Sequence, residues 1–186
     1  MSSKRIFVLG ISGSPRKDGN TDILVKRALT VISEHKSVST EFLRVADHNI
    51  KHCEGCRKCM KIGECAIKDD DFSLVLDKLM KADLIVIGAP VYWNSPPGVM
   101  KDFIDRTHGF YTDLRRLAGK KVGIISVATE GGFETNEKIL SWIRIYGAEI
   151  IGKTRIYARE KGEVLQRPLE MNKVDGLAAL LAKSLE

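Results

Sequence analysis

No run in this 186-residue chain approaches the roughly 18 apolar residues a membrane span requires. The opening apolar stretch, residues 6–11, is too short for a secretory h-region and reads as a first strand. These two absences place the chain in the cytoplasm as an expectation, without membrane insertion. Helix-turn-helix and aromatic–basic RNA signatures are missing too, so the net charge of +6 does not read as a nucleic-acid interface. A docking surface for an acidic protein or a phosphorylated cofactor is the better use of that charge.

Histidine is scarce, with four in the chain. His52 abuts Cys53 and is expected to face solvent, while His35, His48 and His108 read as surface or helix-end residues. Neither a Ser/His/Asp arrangement nor a pair of acid/base carboxylates can be placed near the strand ends. That pattern suits chemistry supplied by a bound cofactor, which the protein mainly orients and tunes. Cysteine is absent except for Cys53, Cys56, Cys59 and Cys65, all within thirteen residues. A disulfide framework would spread its cysteines over a small secreted domain, whereas a tight intracellular cluster points to metal.

What is present is an alternation of apolar β-branched runs with amphipathic stretches. Strands are expected over 5–11, 40–45, 84–89, 121–128 and 149–157. Helices are expected over 21–34, from the Asp69, Asp70, Asp71 cap to 80, and over 98–107, 134–146 and 169–185. Residues 159–167 read as a charged loop. The alternation predicts a single α/β domain spanning 1–186, built on a doubly wound parallel sheet and interrupted by a cysteine-rich loop at 47–68. Ligands of such sheets sit beyond the carboxyl ends of the strands.

Three loops at that edge carry the chemistry. The first holds Ser12, Gly13, Ser14, Pro15, Arg16, Asn20 and Thr21. Its small residues let amides converge on a phosphate, its hydroxyls and Arg16 add donors, and Asn20 and Thr21 sit at a helix start. It lacks the G-x-G-x-x-G order and the G-K-[ST] ending, so a mononucleotide phosphate fits better than a pyrophosphate. The second loop, Pro90, Val91, Tyr92, Trp93 and Asn94, offers a flat apolar wall with polar groups beside it. The third, Thr129, Glu130, Gly131 and Gly132, can bring amides to the polar edge of a ring. Together they point to FMN.

The run Ser12-Gly-Ser-Pro-Arg16 with Asn20-Thr21, and Pro90-Val-Tyr-Trp93 followed by Lys101-Asp-Phe-Ile-Asp-Arg106, resembles the NADPH-dependent FMN reductase superfamily over residues 6–151. The resemblance implies a flavodoxin-like fold, a five-stranded parallel sheet of order 2-1-3-4-5 with helices on both faces. It also implies one FMN per protomer and a homodimer or homotetramer. By the family's pattern the first loop holds the phosphate and the second packs on the ring.

The cysteine spacing is C-x2-C-x2-C-x5-C. Structural zinc sites join two knuckles across a longer spacer, whereas three cysteines at intervals of three suit the separate iron corners of a cubane. The spacing resembles that of the iron–sulfur flavoproteins, in which four such cysteines hold a 4Fe–4S cluster; zinc, free thiols and a redox disulfide are the alternatives. The resemblance further implies ferredoxin as electron donor, and Lys51, Arg57, Lys58, Lys61 and Lys68 suit an acidic one. The competing readings are a cluster-free NAD(P)H-dependent FMN or quinone reductase, and a redox sensor or electron carrier without turnover.

Overall fold

The structure, a computed structural model, describes residues 5–186. Five strands, β1 (Ile6–Ser12), β2 (Val38–Arg44), β3 (Leu84–Pro90), β4 (Lys121–Ala128) and β5 (Glu149–Tyr157), form one parallel sheet of order β2-β1-β3-β4-β5. The expected order and flavodoxin-like architecture are therefore observed. Among the described residues six α-helices accompany the sheet: α1 (Asn20–His35), the single turn α2 (Cys59–Ile62), α3 (Phe72–Lys81), α4 (Gly98–Arg106), α5 (Phe133–Leu140) and α6 (Pro168–Ser184).

Alternation along the strands divides the apolar side chains between two cores, as the period of two requires. Leu9, Ile11, Ile85, Ile87, Val122 and Ile124 pack against Phe72 and Leu79 of α3 and Met100 and Phe103 of α4. Val8, Leu84, Val86, Ile125 and Val127 pack on the opposite face against α1 and α6. On that second face α1 lies so close to the sheet that a Cβ at Gly88 would stand 2.5 Å from Val25 Cγ2. A side chain there would push α1, and with it the loop leading into α1, away from the strand ends.

Two sequence expectations need correction. The helix expected over 134–146 stops at Leu140 and continues as a 3₁₀ turn, Trp142–Tyr146. Ser141 Oγ donates to the Glu137 carbonyl at 2.6 Å, and the Trp142 indole N–H donates to Thr107 Oγ1 at 3.1 Å, which tightens the chain out of the α-helix. Second, only part of the acidic triplet caps α3: Asp71 occupies the N-cap position but makes no side-chain cap bond, and it is Asp70 that accepts the amide of Phe72, the first helical residue, at 3.1 Å. The triplet also stitches two segments together: Asp69 pairs with Lys51, Asp70 accepts the Lys51 amide at 2.9 Å, and Asp71 accepts the Asn49 amide at 2.8 Å.

Candidate functional site: a three-loop cleft and a four-cysteine cavity

The loop after β1 is held from several sides. The Gly13 amide donates to the Gly88 carbonyl at 2.8 Å, and a Cβ at Gly13 would meet Met100 at 2.8 Å. The Ser12 hydroxyl is wholly buried and donates to Asp22 at 2.6 Å, while Ser14 Oγ accepts the Arg16 amide at 3.1 Å. Gly19 caps α1 without a side-chain acceptor, so the first-turn amides of the helix receive none from their cap. The Asn20 side chain donates to the Glu160 carbonyl at 2.8 Å and accepts the Val164 amide at 3.4 Å, tying this loop to the one after β5.

Ser14, Arg16, Asn20 and Thr21 line a cleft of about 150 Å³ together with Pro90, Val91, Tyr92 and Thr129. Residues from all three sequence-marked loops thus meet in one place. Ser12, Gly13 and Pro15 do not line it: Ser12 and Gly13 are buried, and Pro15 is exposed. Asn94 and Gly132 line a neighbouring depression with Arg155, and Glu130 lines another with Arg159 and Arg167. Gly131 is half-buried, and a Cβ there would meet no heavy atom within 4 Å.

Trp93 is 100% exposed. It and Asn94 hold φ values of 49° and 64° in a tight turn closed by Tyr92 N–H to Ser95 O at 2.8 Å and Ser95 N–H to Tyr92 O at 3.0 Å. Both central residues are left-handed, as in a type I′ turn, a conformation bulky side chains avoid and one that clusters at functional sites.

Arg159 and Lys161 also line the cleft. Sequence reasoning passed over them as part of a charged loop. Their signal was available, because residues 158–161 follow β5 and so belong to the same carboxyl edge as the other three loops.

The cysteine segment builds a second cavity, of about 340 Å³, lined by Cys53, Cys56, Cys59 and Cys65. Gly55 and Arg57 take φ values of 66° and 57°, left-handed turns on either side of Cys56 that fold the segment round on itself. Cys59 and Cys65 are half-buried, Cys53 and Cys56 exposed, and all four are free thiols. Among the described residues no group of three or more His, Cys, Asp or Glu side chains is gathered to hold a single metal ion. The four thiols surround a cavity instead of converging on a point.

Burial pushes the Cys59 thiol up, and the charges that Cys65, Cys56 and Cys53 carry as thiolates push it further. Four thiols around one cavity, rather than around a point, are a donor set that fits a cluster of several irons. Asp105, Arg106 and His108 complete the cavity wall. His108 is exposed, as expected, and lies against the Tyr111 ring with centroids 5.1 Å apart; His52 is exposed too and lies outside the lining.

Residues 6–162 match the family model of NADPH-dependent FMN reductase. The chain belongs to that family. It is 37% identical to an iron–sulfur flavoprotein of Methanocaldococcus jannaschii over 150 residues, covering 78% of this chain and 75% of the relative. It is 32% identical to an iron–sulfur flavoprotein of Methanosarcina thermophila, covering 78% and 76% respectively. Among solved structures, a flavodoxin from the domain Archaea superposes with a TM-score of 0.62 at 16% identity, over 96% of this chain and 98% of that one. The protein is an FMN-dependent oxidoreductase. No helix among the described residues is long and apolar enough to cross a membrane.

Proposed function

We propose that the protein is an iron–sulfur flavoprotein that takes electrons singly from a ferredoxin-like donor and passes them to an acceptor. The observation that carries this reading is the enclosure of one cavity by all four cysteines, on a chain whose strand edge also forms a cleft lined by residues of all three sequence-marked loops. Ser14, Arg16, Asn20 and Thr21, joined by Arg159 and Lys161, are suited to the FMN phosphate. Val91 and Tyr92 are suited to the ring face, and Thr129 to its polar edge. Cys53, Cys56, Cys59 and Cys65 are suited to a 4Fe–4S cluster. When bound, the two groups supply single-electron exchange and its conversion into two-electron chemistry.

This chain's own surface supports the choice of donor. Lys51 pairs with Asp69 and Lys68 with Glu64, but Arg57, Lys58 and Lys61 pair with no acidic side chain among the described residues. They leave a positive face on the cysteine segment for an acidic protein. The segment follows β2 at the edge of the sheet, while the cleft lies over the loops after β1 and β3. A homodimer or homotetramer would let it serve a neighbour's flavin.

The test is the content of iron, acid-labile sulfide and FMN per chain after anaerobic purification. About four irons and four sulfides with one FMN are expected. FMN without iron would overturn the reading in favour of a plain NAD(P)H-dependent reductase, which steady-state oxidation of NAD(P)H would then reveal.

A further inference from the structure

Arg106, the last residue of α4, has a side chain with no solvent exposure, and every N–H of its guanidinium has an acceptor. Nε donates to Cys65 Sγ at 2.9 Å. Nη1 donates to the Lys51 carbonyl at 2.9 Å and to Asp70 Oδ2. Nη2 donates to the Ile67 carbonyl at 3.0 Å and to Asp70 Oδ1 at 3.3 Å. The guanidinium lies 4.4 Å above the Phe72 ring. Lys51 precedes the first cysteine, Ile67 follows the last, and Asp70 leads into α3. One planar group therefore closes the cysteine segment at both ends.

Resting on the reading above, we propose that Arg106 is a positioning residue of the cluster, which fixes Cys65 and raises the cluster's reduction potential through the Nε–H on its sulfur. A purely structural Arg–Asp pair has no need of that bond, since Asp70 is already held by both terminal nitrogens. Cys65 is the cysteine set apart by five residues, and of the four it has the least help from local spacing. Asp70, 1% exposed, offsets the guanidinium's charge. The effect on the cluster therefore comes mainly from the oriented N–H, not from net charge. A donor on a ligand sulfur draws off electron density and favours the reduced state, and such outer contacts also govern how tightly metal is held. The Coulomb balance matters for design: removing Arg106 alone strands a buried carboxylate.

Two variants carry the test, Arg106→Lys and the paired Arg106→Met with Asp70→Asn. The first keeps the charge but loses the fork; the second removes charge and donor together without leaving a buried carboxylate. FMN content and far-ultraviolet dichroism report the fold, iron release to a chelator reports the hold on metal, and an anaerobic redox titration reports the potential. Both variants are expected to keep FMN and the folded sheet, to release iron about ten-fold faster, and to titrate at a more negative potential, with the lysine variant intermediate. A folded, FMN-loaded variant that retains no iron also counts for the proposal. Parent-like potentials in loaded variants overturn it, as does loss of FMN and sheet together with the cluster. A parent without iron fails the cluster reading itself, a result distinct from an unaltered potential in a loaded parent.

Discussion

Arg44 Nε and Asp22 Oδ2 stand 2.8 Å apart in a buried ion pair that joins three segments of the chain. Asp22 also accepts the Ser12 hydroxyl at 2.6 Å and the Asp18 amide at 2.8 Å. Arg44 also donates to the Ser14 and Pro15 carbonyls at 3.3 Å each, and to Asp47 at the start of the cysteine segment. The carbonyl side of the loop after β1 is thus bound to β2.

Arg44→Met, which leaves Asp22 buried and unpaired, is expected to lower stability by about 3 kcal/mol. It should also weaken FMN binding by releasing the two carbonyls. Adding Asp22→Asn should restore much of the stability but not the affinity. Urea unfolding and flavin-fluorescence titration separate the two effects, and parent-like affinity in a folded Arg44→Met protein would refute the coupling.

Arg16→Ala and Lys161→Ala test the phosphate end of the cleft. Loss of a charge-assisted bond to a phosphate corresponds to about 1.5–3 kcal/mol, or roughly 10- to 100-fold in Kd. Ser14→Ala should act in the same direction with a smaller effect. The salt dependence of FMN binding should become shallower in the two charge variants. Unchanged affinity in both would move the phosphate elsewhere.

Cys59→Ala separates the two cofactor sites. Iron and sulfide should fall sharply while FMN stays bound, because the cleft and the cysteine cavity share no lining residue. Reduction of the flavin by ferredoxin should collapse, and reduction by dithionite should persist. Retention of full iron content would remove Cys59 from the ligand set.

Glu163 gives a pH-dependent prediction. Its carboxylate accepts the Arg159 and Glu160 amides at 2.6 and 2.8 Å, and these donors, with Arg167 beyond them, hold it below its ordinary value of 4.5. A depressed carboxyl contributes stability above 4.5 that is lost as pH falls through the folded-state value. The melting temperature of the parent should exceed that of Glu163→Gln at pH 7, and the gap should close in acid. A gap independent of pH would show that Glu163 acts through packing alone.

The strands were legible because the β3 and β4 runs are apolar on both faces, the mark of a parallel sheet covered on both sides. The first loop was legible because hydroxyl and small residues directly after a strand have few other uses. What the sequence did not reveal lies in long-range pairing. Asp70 was legible as part of a helix cap and Arg106 only as the end of the Lys101–Arg106 run, yet 36 positions apart they form a buried pair. Asn20 looked like a cap as well, and its amide instead spans 140 positions to Glu160. Such partners share no local pattern, since polar side chains choose among neighbours that only the fold assembles.

The two tryptophans sit in opposite surroundings. Trp142 is buried with its indole N–H bound to Thr107, whereas Trp93 stands fully in solvent beside Tyr92, a wall residue of the cleft. An indole in water emits at longer wavelength than a buried one, and a flavin absorbs in the region of that emission. A flavin seated in the cleft is therefore expected to dim the Trp93 emission. The left-handed turn that holds Trp93 out of the protein would then serve as an optical gauge of flavin content, read by the protein's own fluorescence during an FMN titration.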